Sequence, residues 1–340
     1  MLQIDTNALS VLCLGEVLFD AIADQPGSPE SVQSWTAYPG GAPANVTCAL
    51  VKLGTTSGLI SAVGQDQAGK QLVQLLQRIG VNTAGVQTHP TAPTRKVYVV
   101  RSISGEREFA GFGDRQTTEF ADTYLQANLI PEDLFIQRNS SDRFLVLGTL
   151  ALAGHDSSRA VMRAIELAKQ HQLNIFVDVN WRPMFWLAGS EPKSVIRDLL
   201  SQTDFVKFSD SESEWLFQTP DPTTIYQQLG TVKGVFVTLG ERGCAYHFGE
   251  HSGYVPGFPV KVQDTTGAGD GFVAGLIHQF VQYGLQELTS AATIQQAVTY
   301  ANAVGALVTM KTGAIVSQPT VIEIKEFLAN YEDTAITNDL

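Results

Sequence analysis

Cysteine is scarce in this 340-residue chain, which has Cys13, Cys48 and Cys244, no CxxC pair and an odd total. That usage indicates neither a disulfide framework nor a zinc cluster, and buried free thiols are the expectation. Positive charge is also short, with 22 Lys and Arg against 34 Asp and Glu and a formal net charge of −12. A surface of that sign repels phosphate backbones and anionic lipid at long range, so neither nucleic acid nor membrane is an expected partner. A small phosphorylated ligand is still compatible, because local amides, an arginine or a metal ion outweigh the global sign inside a pocket. No apolar run free of charges reaches bilayer length. The early run ALSVLCLGEVLF has no basic residue before it and is cut by Glu16 and Asp20, so it does not read as a signal peptide and a cytoplasmic chain is expected. Internal repeats, low-complexity tracts and a Pro/Ser/Gly-rich linker are lacking too. There is no GxGxxG after the first apolar run and no GxxxxGK[ST], which disfavours dinucleotide oxidoreduction and a P-loop. His89, His155, His171, His247, His251 and His278 are dispersed without metal-ligand spacing.

What is present is a globular composition, 44% hydrophobic and 16% charged, sufficient for one large α/β domain across 1–340. From residue 143 onward apolar β-runs alternate with helical patterns: RFLVLGTL, SSRAVMRAIELAKQHQ, NIFVDVN, SVIRDLLSQ, FVKFSD and SESEWLFQ. Such alternation predicts a mainly parallel sheet covered by helices. Ahead of it come one opening strand (SVLCLGEVLFDAIA), a helix over about 44–53 and a strand at SGLISAVG. A second helix is capped by Asp66 and stopped by Gly80, and two β-runs, RKVYVVRSIS and EREFAGFG, join around Ser104 and Gly105 as a hairpin. GVFVTLG, a hairpin through Tyr246 and Tyr254 and a long helix over about 293–310 complete the reading.

The most informative stretch is DTTGAGDGF, residues 264 to 272. Gly267, Ala268 and Gly269 have little or no side chain, so their amides are free to turn toward an anion at the positive end of a helix dipole. Asp270, in the first helical turn, is then placed to accept a hydroxyl proton as a phosphoryl group departs. The same residues also suit an ordinary helix start. In an open parallel sheet ligands bind beyond the carboxyl ends of the strands. The groups that end the apolar runs are therefore candidates together: Asp20, Asp178, Asn180, Arg182, Ser209, Glu212, Thr238, Gly240 and Gly243. Each alone also fits turn or cap chemistry. In PGGAPANV, Gly40 and Gly41 allow close backbone approach, and Asn45 offers a donor and an acceptor to hydroxyls. Trp181 and Trp186 read as packing against the sheet.

With PGGAPANV near one end and DTTGAGD near the other, in that order, the whole chain resembles the ribokinase-like, or PfkB-type, carbohydrate kinases. PGGAPANV, GEVLFD and DVNWRPMFW look most like the fructokinases of that family. The resemblance implies a ribokinase-like α/β fold with a small β-lid, its strands near 31–38 and 95–115. It also implies an ATP-dependent kinase acting on a hydroxyl of D-fructose, with Mg2+ as cofactor. Asp270 becomes the catalytic base, Gly267, Ala268 and Gly269 the anion hole, and Asp20, Gly40, Gly41 and Asn45 the sugar contacts. Asn180 faces the ATP phosphates, Glu212 the magnesium-bound water, and Thr238, Gly240 and Gly243 the ribose and adenine. Asn302 falls in the adenine pocket, and Asp264, Thr266, Gly313 and Ser317 match a monovalent-cation site that would take K+. Arg115 is the lid residue expected to reach substrate, and lids of this kind often join homodimers. Two departures stand out: Ser209 replaces the usual Asn, and GFGDR replaces an FYR-like segment, leaving Phe112 as the aromatic candidate. Arg95, Arg101 and Arg107 read as solvated edge charges. Other sugars, such as 2-keto-3-deoxygluconate or ribose, remain open as acceptors, and a non-catalytic sugar- or nucleotide-binding regulator is the alternative of another class.

Overall fold

The computed structural model describes residues 9–101, 107–136 and 142–338. In chain order the elements are β1 (Val11–Leu14), β2 (Leu18–Ala23), β3 (Trp35–Gly40), α1 (Ala42–Lys52), β4 (Ser57–Gly64), α2 (Gln67–Ile79), β5 (Asn82–His89), β6 (Lys96–Arg101), β7 (Arg107–Gly111) and β8 (Phe144–Gly148). They continue as α3 (His155–Gln170), β9 (Asn174–Asp178), α4 (Pro192–Leu200), β10 (Phe205–Ser209), α5 (Asp210–Phe217), α6 (Pro222–Leu229), β11 (Gly234–Thr238), β12 (Gly243–Phe248), β13 (His251–Pro256), α7 (Ala268–Tyr283), α8 (Ala291–Thr309) and α9 (Val321–Asn338).

Among the described residues the strands form two sheets. The large one runs β13-β12-β11-β10-β9-β8-β1-β4-β5, and the small one runs β3-β2-β6-β7. All pairs of the large sheet from β11 to β5 are parallel, while β12 and β13 close one edge as an antiparallel hairpin. This is the expected ribokinase-like α/β architecture, and the alternation of elements explains it, since parallel neighbours need a crossover helix. Along β10, Phe205 joins one core while Val206 and Phe208 join the other. Period-2 side-chain alternation therefore feeds two layers, one packed by α1, α2, α7 and α8 and the other by α3 to α6. Under α7 the rings of Phe144, Phe205 and Phe236 lie 6.0, 5.4 and 6.1 Å from that of Phe280. Each such fully buried ring contributes roughly 1.5–3 kcal/mol. Helix α7 comes close to α8 because Gly275 has no side chain: a Cβ there would lie 2.9 Å from Val304 Cγ2.

The opening β-run divides where one strand was expected. Leu14 ends β1 in the large sheet, and Leu18 begins β2 in the small one. Gly15, with φ of 149°, makes the turn between them. The strands of the small sheet in the two expected stretches begin at Trp35 and Lys96, and β2 joins them. Ser104 and Gly105 lie outside the described residues, but β6 and β7 pair antiparallel as a hairpin requires. Strand β5 and helices α6 and α9 were not read from the sequence. No helix of the described residues is long and apolar enough to cross a membrane, and the three cysteines are buried and free.

Candidate active site

The glycine-rich turn opens α7 as the sequence suggests. Gly267 is the N-cap at φ 83°, in the left-handed region, and Asp270 stands in the first turn. A Cβ on Gly267 would fall 2.9 Å from Ala314 Cβ, so the turn rests directly on the segment that follows α8. Asp264 fastens the two together. Its Oδ1 accepts from the amide and hydroxyl of Thr266 at 3.0 and 2.7 Å, and its Oδ2 accepts from the Gly313 amide at 3.1 Å. The Ser317 amide donates to the Gly313 carbonyl, and Lys52, at the end of α1, donates to the carbonyls of Ile315, Val316 and Gln318. The four candidate cation residues thus share one loop pair.

Asp270 is 9% exposed and its Oδ2 accepts from Asn45 Nδ2 at 2.7 Å. Burial pushes its pKa up, Asn45, Lys207 and Arg182 pull it back, and Asp20 adds to the rise. Asn45 comes from the first turn of α1, which starts at Gly41 with φ 103°. A Cβ on Gly40 would lie 2.6 Å from Asp20 Oδ2, so the Asp20 carboxylate lies against the glycine pair. Asp20, Gly40, Gly41, Asn45 and Asp270 are thereby one group. Asn45 Oδ1 is buried and has no hydrogen-bond partner among the described residues.

On the other side of the turn, Thr238, Gly240, Gly243 and Asn302 line a cleft of about 1100 Å³ together with Ala268 and Gly269. Asn302 Nδ2 donates to the carbonyls of Val255 and Pro256 at 3.2 Å each. Phe258, Val260 and Phe272 supply apolar walls. An elongated ligand with a flat apolar end and a charged end fits this arrangement, its anion meeting the α7 terminus.

The remaining candidates gather where β9 and β10 end. Glu212 Oε1 accepts from the Trp181 amide and Oε2 from the Ser209 amide, both at 2.7 Å, while Ser209 Oγ accepts from the Glu212 amide. The pair is therefore a capping box that also fixes the loop carrying Asn180 and Arg182. Asn180 has φ 39°. Arg182 is exposed, donates to the Trp181 carbonyl and acts electrostatically on Asp270. Trp181 stacks on Trp215 with ring centroids 4.3 Å apart, and both Trp181 and Trp186 pack against the sheet core.

Arg115 is exposed beyond β7. Phe112 meets Phe109 and Phe185 edge-to-face and packs against a tilted Phe120. Arg95 corrects the edge-charge expectation. It is 3% exposed, its Nε meets Asp122 Oδ2 at 2.7 Å, and its guanidinium lies over Phe112, Phe120 and Phe185. The side chains of Arg101 and Arg107 lie outside the described residues.

Two buried groups escaped sequence reasoning. Glu16, 5% exposed, accepts from the Ala42 amide at the start of α1, and burial pushes its pKa up to about 7, with Asp122 and Asp270 adding to the effect. Lys207 Nζ donates to Asp178 Oδ1 at 3.0 Å, and both side chains are buried. The signal for Lys207 was a lysine inside an apolar parallel strand, where a charge persists only with a partner.

Known proteins resemble this chain over most of its length. The model for the pfkB family carbohydrate kinases matches residues 8–321. Fructokinase-1 of Oryza sativa subsp. japonica is 32% identical over 322 residues, covering 94% of this chain and 97% of the relative. Fructokinase-1 of Zea mays is 33% identical with the same coverage. Among solved structures, the fructokinase with bound ATP from Xylella fastidiosa superposes with a TM-score of 0.85 at 28% identity, over 95% of this chain and 98% of that one. The fructokinase of Vibrio cholerae O395 in its fructose, ADP and calcium ion bound form gives 0.79 at 28% identity, over 95% and 99%.

Proposed function

The chain belongs to the pfkB family of carbohydrate kinases, and from that premise we propose that it transfers the γ-phosphoryl group of ATP to a hydroxyl of fructose. One observation carries the reading: Asp270 and the small-residue turn at 267–269 sit where a hydroxyl-recognising group and a long cleft meet. ATP takes the cleft, with adenine and ribose toward Thr238, Gly240, Gly243 and Asn302 and its phosphates at the α7 terminus. Asn180 and Arg182 face the phosphates from β9. The sugar lies against Asp20, Gly40, Gly41 and Asn45, and the buried, donor-less Asn45 Oδ1 suits a hydroxyl. The bond between Pγ and the bridging oxygen of ATP breaks as the sugar oxygen bonds to Pγ, and the hydroxyl proton passes to Asp270. The transition state being loose, the amides of 267–269 supply the larger electrostatic share.

Among the described residues no group of three or more His, Cys, Asp or Glu could hold a metal ion. A divalent ion would instead be carried on the ATP phosphates, with Glu212 holding it through water, and Mg2+ would supply charge neutralisation there. The calcium ion named in the Vibrio cholerae structure supports a divalent site. Asp264, Thr266, Gly313 and Ser317 form an oxygen-rich loop pair that suits K+. The small sheet acts as a lid over the sugar, with Arg115 reaching inward on closure, and its open edges at β3 and β7 offer a surface to a second copy. Three free buried thiols suit a reducing compartment such as the cytoplasm.

The deciding experiment measures initial rates with MgATP against fructose, glucose, mannose, ribose and 2-keto-3-deoxygluconate. Fructose is expected to give the highest kcat/KM. Equal rates across the panel would remove fructose as the dedicated acceptor, and no transfer to any sugar would favour a binding protein without turnover.

A further inference from the structure

We propose that Lys207 is a catalytic residue whose ammonium, held by Asp178, stabilises the transferring phosphoryl group from beneath Gly269. Three observations converge. Lys207 is the register partner of Asp178 in the parallel β9–β10 pair, and period-2 alternation points it away from the core that takes Val206 and Phe208, toward α7. The pair is 6% and 5% exposed, and among the described residues the hydrogen bond from Nζ to Asp178 Oδ1 uses one of the three ammonium donors. A Cβ on Gly269 would lie 3.1 Å from Nζ, so the charge abuts the backbone that cradles the anion.

A buried ion pair is a poor stabiliser by itself. Burial works against the ammonium, but the negative charges of Asp178, Glu212 and Asp270 outweigh it and hold the proton more firmly than in a free lysine. Lys207 thus keeps all its protons through the reaction: the hydroxyl proton goes to Asp270, the sugar oxygen bonds to Pγ, and ADP leaves. Its part is to oppose the charge building on the equatorial oxygens, as a fixed cation in a dry site does most effectively.

This rests on the kinase reading above, and the test separates the two. Lys207→Met alone strands Asp178 and endangers folding, so the informative protein is the double variant Lys207→Met/Asp178→Asn, which removes both charges. It is expected to melt near the wild-type temperature and to bind ADP as the wild type does. Its turnover with MgATP and sugar is expected to stay down by about 10² or more, and its preference for ATP over ADP is expected to drop by about tenfold. Recovery of turnover to within about threefold of wild type, as a purely structural pair would give, overturns the proposal. Should the unaltered chain fail to phosphorylate fructose, the acceptor assignment falls by itself. The ATP-over-ADP preference of the double variant then still decides: a preference equal to wild type overturns the role of Lys207, and its loss supports it.

Discussion

The Asn45 amide on the Asp270 carboxylate sets what single substitutions do near the reacting groups. Asp270→Asn keeps the shape and removes the proposed base, so turnover is expected to fall by about 10² or more while nucleotide and sugar affinities stay near wild type. Steady-state kinetics with calorimetric binding check this, and retained turnover would refute the role. Glu16 gives a pH signature. Its carboxyl titrates near 4.5 when unfolded and about 7 in the fold, so between those values the native state binds more protons. Stability therefore falls as pH rises through that window and levels off above it. Glu16→Gln preserves an acceptor for the Ala42 amide and is expected to remove this slope, a relative gain of roughly 3 kcal/mol at most at pH 8. Denaturant melts at pH 5 and 8 measure it. At this scale the sequence was readable where backbone chemistry dominates: the turn at 267–270 and the pair Gly40–Gly41 follow from residue size alone. Lys207 and Arg95 were not readable, because their partners, Asp178 and Asp122, lie 29 and 27 residues away and only the folded register brings each pair together.

Helices and strands divide in the same way. Helix α2 was legible because Asp66 accepts from the Gly69 amide and Gly80 closes the helix at φ 100°. The run through Gly15 was not, because both halves are largely buried and apolar, and nothing in a period-2 pattern says which sheet a strand enters. Among the described residues strand β5 pairs only with β4, at the sheet edge, and is mostly half-buried, so its polar pattern reads as a loop. The turn leading into β12 offers a contrast within one element. A Cβ on Gly243, at φ 105°, would lie 2.1 Å from the Val255 carbonyl oxygen, whereas Gly240, at φ 61°, has open space around it. Gly240→Ala is expected to cost about 1 kcal/mol from the left-handed backbone alone. Gly243→Ala must also shift β13 against β12, so it is expected to lower the melting temperature further and raise KM for ATP by about tenfold, with strain as the cause. Melting curves and ATP titrations of both variants check the ranking.

At the scale of the whole molecule, the family and a mainly parallel sheet covered by helices were foreseeable from alternating elements and the two glycine motifs, while the strand order and the seam between the sheets were not. Arg95 immediately precedes β6 of the small sheet, and its guanidinium is held by Asp122 and Thr117 over Phe120 and Phe185. Arg95→Met leaves Asp122 without its cation and is expected to destabilise the protein by about 3–5 kcal/mol, with Asp122→Asn restoring part of the loss. Urea unfolding of the single and double variants measures the difference. The passage from β1 to β2 has a mechanical consequence. Three residues extend at most about 10 Å, so the two sheets are leashed at the glycine-pair end and have no freedom to part there. If the small sheet is the lid of the proposed kinase, its opening is a swing about Gly15–Val17 like a door on its jamb, in which β7, the edge strand farthest from that leash, moves most.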